Sequence, residues 1–150
     1  MSKILLLQGP NLNLLGTREP EIYGNTTLEA LHRSLCDKSQ VALECFQSNA
    51  ESELIDKIHQ AWREKVDILI FNPAAFTHTS IALRDAILAI KIPLIVVHIS
   101  NPAEREPFRH TCFFSDIALT SIVGQGIAGY HLALEQAEQF IGKASLVNLK

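Results

Sequence analysis

Five short apolar runs alternate along this chain with stretches of helical periodicity, and that alternation admits few folds. The runs are KILLLQ (3–8), VALECFQ (41–47), VDILIFN (66–72), IPLIVVHIS (92–100) and IALTSIV (117–123). Continuous Ile, Leu and Val suit strands covered on both faces, whereas Glu44 inside the second run suits a strand nearer a sheet edge. The order β-α-β-α-β-α-β-loop-β-α argues a parallel sheet with helices on both faces. Five strands in 150 residues fit an α/β, flavodoxin-like, five-stranded parallel sheet of order 2-1-3-4-5, as a single domain over residues 1–150.

The helices carry start signals. Thr26 and Glu29 fit a capping box ahead of Leu28, Leu31 and Leu35, and Ser48 and Glu51 fit a second ahead of Leu54, Ile55, Ile58, Ala61 and Trp62. Ser80 can cap a third helix through Ile90. A last helix from about Ile127 to Ile141 buries Ile127, Tyr130, Leu134, Ala137 and Ile141.

One connection is too long for its place. QGPNLNLLGTREPEIYG (8–24) joins a strand to a helix, where two to six residues are usual. In open α/β sheets ligands bind beyond the carboxyl ends of the strands, at the switch point, which for this order lies between strands 1 and 3. The long loop follows strand 1, NPAAFTHTS (72–80) follows strand 3 and HISNPAEREPFRH (98–110) ends strand 4. The fold therefore predicts that three polar segments share one rim.

Charge and composition narrow the partners. The formal net charge is −3, so no basic excess exists to neutralise nucleic-acid phosphates. No window approaches the length of a membrane span. MSKILLLQGP has too short an apolar core for a signal peptide, and the expectation is a cytoplasmic protein. Cys36, Cys45 and Cys112 match no zinc spacing and are expected as reduced, mostly buried thiols. The six histidines form no ligand pair, so no metal site is expected. His32, His59 and His131 lie on helical patterns and are expected at surface or boundary positions.

GQGIAG (124–129) matches the dinucleotide pattern G-x-G-x-x-G after a strand and before a helix. No further strand with an acidic residue follows, so the glycines are read as a tight turn with close helix packing. The rim keeps Asn11, Asn13, Arg18, Tyr23, Asn72, His78, His98, Ser100, Arg105 and Arg109. Such a set suits a small oxygen-rich anion: arginines fork onto oxygens and histidines move protons near neutral pH. A phenol is a poor base, but a nearby guanidinium such as Arg18 favours the phenolate of Tyr23.

GPNLNLLGTREPEIYG, FTHTSIALRDAI, VHISNPAEREPFRH and IVGQGIAGY, in this order, resemble the type II 3-dehydroquinate dehydratases over nearly the whole chain. The resemblance implies dehydration of 3-dehydroquinate to 3-dehydroshikimate, without metal or cofactor, in a dodecamer built as a tetramer of trimers. It implies Tyr23 as base, His98 as general acid, Arg18 as the residue that keeps Tyr23 ionised, and Asn11 as the residue steadying an enolate through a water. It further implies that Asn72, the backbone of Ile99 and the hydroxyl of Ser100 hold the substrate carboxylate, and that His78 and Arg109 bind ring hydroxyls. Asp85 would reach a neighbouring subunit's site, residues 18–24 would form a mobile lid, and Arg105 would lie near the site.

Three positions depart from the family pattern. Val96 stands where a glutamate usually precedes the catalytic histidine by two residues, on the same strand face. Pro73 removes a backbone donor and favours extended geometry at Asn72. Phe76 replaces a frequent tyrosine. Two other classes fit the sequence: a flavodoxin-like nucleotide-binding enzyme using GQGIAG and a non-catalytic oligomeric metabolite-binding scaffold.

Overall fold

The computed structural model describes residues 1–17 and 19–148, without the side chains of Tyr23 and Asn148. Strands β1 (Lys3–Gln8), β2 (Ala42–Gln47), β3 (Ile68–Asn72), β4 (Leu94–His98) and β5 (Thr120–Val123) form one sheet in the order β2-β1-β3-β4-β5. Every neighbouring pair is parallel. The expected architecture and strand order are therefore observed.

Strand parity divides the core. Ile4, Leu6, Ile68, Ile70, Ile95 and Val97 pack on one face against α2 (Leu28–Lys38) and α5 (Ala128–Asn148). Leu5, Leu7, Leu69, Phe71, Leu94 and Val96 pack on the other, against α3 (Glu51–Arg63) and α4 (Ile81–Ile90). β1, β3 and β4 are almost wholly buried, whereas β2 and β5 are edges and stay partly exposed. Glu44 on β2 pairs with Lys3 and Lys57, which is how a charge is tolerated on that edge.

Several boundaries differ from the sequence reading. β4 starts at Leu94, because Pro93 has no N–H for the ladder. β5 starts at Thr120, because Ser115–Ile117 curls into a 3-10 turn. Thr27, not Thr26, caps α2 by accepting from Ala30 N at 3.1 Å; Glu29 then pairs with Arg33 one turn on. Ser48 does not cap α3. It accepts from Ala50 N at 2.9 Å and bonds the Glu53 carboxylate, tightening the turn ahead of the helix. Ser80 caps α4 as expected, accepting from Leu83 N at 3.0 Å.

α5 begins one residue after Ile127 and runs past Ile141, and Ile127 itself is only half-buried. The three cysteines are free, but Cys36 is exposed and Cys45 and Cys112 are half-buried, so none is a sealed core thiol. Among the described residues no helix is long and apolar enough to cross a membrane.

Candidate active site

The long connection after β1 is anchored, and it carries structure of its own. Leu12 and Leu15, from a 3-10 turn at Leu12–Leu14 and the residue after it, are buried in the α2/α5 side of the core. Pro20–Tyr23 forms a single helical turn, α1, with proline at its start. Gly9 lets the ends of β1 and β3 close together. Its N–H donates to Asn72 O at 2.8 Å, and a Cβ there would sit 2.3 Å from Pro73 O. Asn11 holds a left-handed conformation at φ +69°, tolerated best by asparagine and glycine, and its N–H donates to Asn49 Oδ1 at 3.0 Å.

Past β3, Asn72 keeps its extended geometry and Pro73 opens a 3-10 turn, Ala74–His78. Past β4, two more 3-10 turns, Pro102–Glu104 and Pro107–Arg109, carry the chain over the rim. The three segments enclose a cavity of about 220 Å³, lined by Asn11, Asn72, His78, His98, Ile99, Ser100, Arg105 and Arg109 among others. Residues separated by almost a hundred positions in sequence thus meet at the strand ends that the fold predicted.

Not every expected residue lies there. Arg18 and the side chain of Tyr23 lie outside the described residues. Asp85 is exposed on α4 and does not line the cavity, and Asn13 is exposed in the first 3-10 turn.

The charged and polar groups are tied in place. His78 Nδ1 lies 2.7 Å from the Thr111 carbonyl, which can only accept, so that nitrogen bears the proton. Arg109 Nε donates to Glu106 Oε1 at 2.9 Å, and Arg105 Nη1 donates to Ser100 Oγ at 3.3 Å. Its own backbone N–H and Arg109 hold the Glu106 carboxyl below the usual range. His98 is 9% exposed, and its Nε2 lies 3.9 Å from Cys112 Sγ. Burial, helped by the charge of His78, lowers the His98 pKa to about 4, so the ring is neutral near pH 7. Val96, one pleat back on the same face, is fully buried and adds an apolar wall.

The GQGIAG segment is a structural turn. Gly124 and Gly126 are left-handed, at φ +73° and +60°. Gly124 N donates to His98 O at 3.1 Å and Gly126 N to Ile99 O at 3.0 Å, so these amides close β4 and are not offered to a phosphate. At Gly129 a Cβ would lie 3.2 Å from Ile122 Cγ2, which marks close helix-to-strand packing. Among the described residues no three His, Cys, Asp or Glu side chains lie close enough to hold a metal ion.

Sequence reasoning missed Gln8, Cys112 and the hydroxyl of Tyr130. Gln8 is a polar residue closing an apolar strand, which is a legible signal. Helical periodicity places Tyr130 in the core, because it says which face is buried and not what a buried hydroxyl meets.

The chain as a whole is similar to known proteins. The family described as dehydroquinase class II matches residues 2–138. A 3-dehydroquinate dehydratase of Mannheimia succiniciproducens is 54% identical over 146 residues, covering 95% of this chain and 97% of that protein. The 3-dehydroquinate dehydratase 1 of Pseudomonas aeruginosa is 59% identical over 140 residues, covering 91% and 95%. The crystal structure of the type II dehydroquinase from Butyrivibrio crossotus superposes with a TM-score of 0.88 at 44% identity, covering 91% and 97%.

Proposed function

The chain belongs to the class II dehydroquinase family, and from that premise we propose that it dehydrates 3-dehydroquinate to 3-dehydroshikimate by general acid–base chemistry of its own side chains. The observation that carries the reading is the cavity, where Asn11, Asn72, His78, His98, Ile99, Ser100 and Arg109 converge at the switch point of the sheet.

The substrate is a carboxylated, hydroxylated ketone whose carbonyl acidifies the C2 proton. Tyr23, kept as phenolate by the Arg18 guanidinium, removes that proton. Asn11 steadies the resulting enolate through a water, a donor placed before the charge develops. His98 then gives a proton to the leaving C1 hydroxyl, and water departs by anti elimination. Asn72, the backbone of Ile99 and the Ser100 hydroxyl hold the carboxylate, while His78 and Arg109 hold the ring hydroxyls. His98 is neutral in the chain alone near pH 7. The anionic substrate, bound a short distance away, raises its affinity for the proton it must donate.

The whole chain acts as one catalytic domain in the cytoplasm, in a dodecamer of four trimers, with Asp85 completing a neighbouring site and residues 18–24 closing as a lid. Exposure of Asp85 on α4 is compatible with that role.

An ultraviolet assay of enone formation from 3-dehydroquinate tests the activity directly, with Tyr23→Phe as its control. The expected result is turnover by the native protein and at least a hundredfold loss in the variant, the usual order for one acid–base group. No enone from a native protein that binds the substrate would leave a non-catalytic scaffold. More than a tenth of native activity in Tyr23→Phe would remove Tyr23 as base.

A further inference from the structure

Gln8 and Asn72 are register partners at the last positions of β1 and β3. Both fall on the strand face covered by α2 and α5, and they are 0% and 4% exposed. Two amides buried beyond apolar strands are costly unless hydrogen-bonded. α5 meets that need with Tyr130, itself 1% exposed. The Tyr130 hydroxyl donates to Gln8 Oε1 at 2.9 Å and accepts from Asn72 Nδ2 at 2.8 Å. Gln8 Nε2 lies 3.3 Å from His32 Nε2; an amide nitrogen only donates, so His32 accepts there. Burial lowers the His32 pKa, in keeping with a neutral ring.

The chain of bonds has one direction. Ala74 N donates to Asn72 Oδ1 at 3.0 Å, and a backbone N–H cannot reverse its role. With Oδ1 held by Ala74 and one amide hydrogen held by Tyr130, the second amide hydrogen is the group that Asn72 can offer to the cavity it lines. A flipped amide would set N–H against N–H at Ala74. It would also aim an oxygen at any carboxylate.

We propose that Tyr130 and Gln8 are positioning residues that hold the Asn72 amide with its free hydrogen available to the cavity, and so set the affinity of the site for its substrate's carboxylate. This deepens the reading above and rests on Asn72 as a carboxylate-binding residue.

The test compares Tyr130→Phe and Gln8→Met, each in the native and the Asn72→Ala background. It measures steady-state kinetics with 3-dehydroquinate, calorimetric affinity for the product 3-dehydroshikimate, and melting temperature. Each variant should raise KM and weaken product binding about tenfold, the effect of one lost hydrogen bond, with kcat changed less than about threefold. In the Asn72→Ala background the same substitutions should have no further effect on KM. Equal effects in both backgrounds, or an unchanged KM in a folded variant, would overturn the proposal and leave Tyr130 as packing. Gln8→Met removes the acceptor while keeping the tyrosine ring in the core, so the cycle can be closed even if Tyr130→Phe does not fold. A native protein that neither turns over nor binds these compounds would overturn the functional reading first, and this proposal with it.

Discussion

His98 Nε2 and Cys112 Sγ lie 3.9 Å apart, so the end of β4 meets a thiol from the segment that follows Arg109. The contact puts a modifiable group against the proposed acid. The other thiols are placed differently: Cys36 is exposed, and the Cys45 pKa is pushed up to about 12 by burial. Alkylation proceeds through the thiolate. Iodoacetamide should therefore label Cys36 first without loss of activity, label Cys112 with loss, and spare Cys45. Peptide mass spectrometry followed against residual activity checks the order. Full activity after stoichiometric labelling of Cys112 would show that the contact does not matter to turnover.

His98 also links stability to pH. Its folded pKa, about 4, lies below the ordinary 6.5, so between those values the unfolded chain binds more protons than the native one. Stability therefore falls as pH drops through this window and is fully present above it. The shift corresponds to about 3 kcal/mol lost by pH 4. Denaturant titrations of the native protein and of His98→Gln across pH 4 to 7 should show a shallower slope in the variant. Parallel curves would assign the acid sensitivity to other groups.

Gly9 is the tightest point of the rim. Its missing Cβ makes room for Pro73 O, which would otherwise lie 2.3 Å away. Gly9→Ala must push the ends of β1 and β3 apart, moving Asn72 and Asn11 together. A loss of about 2 kcal/mol or more is expected, seen as a lower melting temperature, with KM raised more than kcat is lowered. An unchanged melting temperature would mean that the strand ends yield without cost.

The alternation of apolar runs and helical stretches carried the strand order, because central parallel strands are buried on both faces and leave an unmistakable pattern. Asn72 and His98 were legible for the same reason, as polar residues closing β3 and β4. Helix starts slipped: Thr27 rather than Thr26 caps α2, since adjacent hydroxyls look alike until the backbone chooses. The 3-10 turns after β3 and β4 were not legible, being held by local backbone bonds such as Phe76 N to Pro73 O. Nor was the Gln8–Tyr130–Asn72 connection, whose partners come from three separate elements.

Of the three positions expected to depart from the family pattern, Val96 has the clearest chemical consequence. It is fully buried on β4, beside Phe71 and Ser121 in the neighbouring strands, and shares its face with His98 two residues on. An apolar neighbour favours the neutral imidazole, whereas a carboxylate there would favour the imidazolium. The alkaline limb of the kcat profile reports the acid in the enzyme–substrate complex. Val96→Glu should move that limb to higher pH, by about one unit for a partly buried charge pair. The variant inserts a charge into a packed face, so its melting temperature should fall. The full pH profile of both proteins, recorded where each is folded, checks the shift. An alkaline limb that stays in place in a folded variant would mean that another group, such as the bound substrate's carboxylate, sets the protonation of His98.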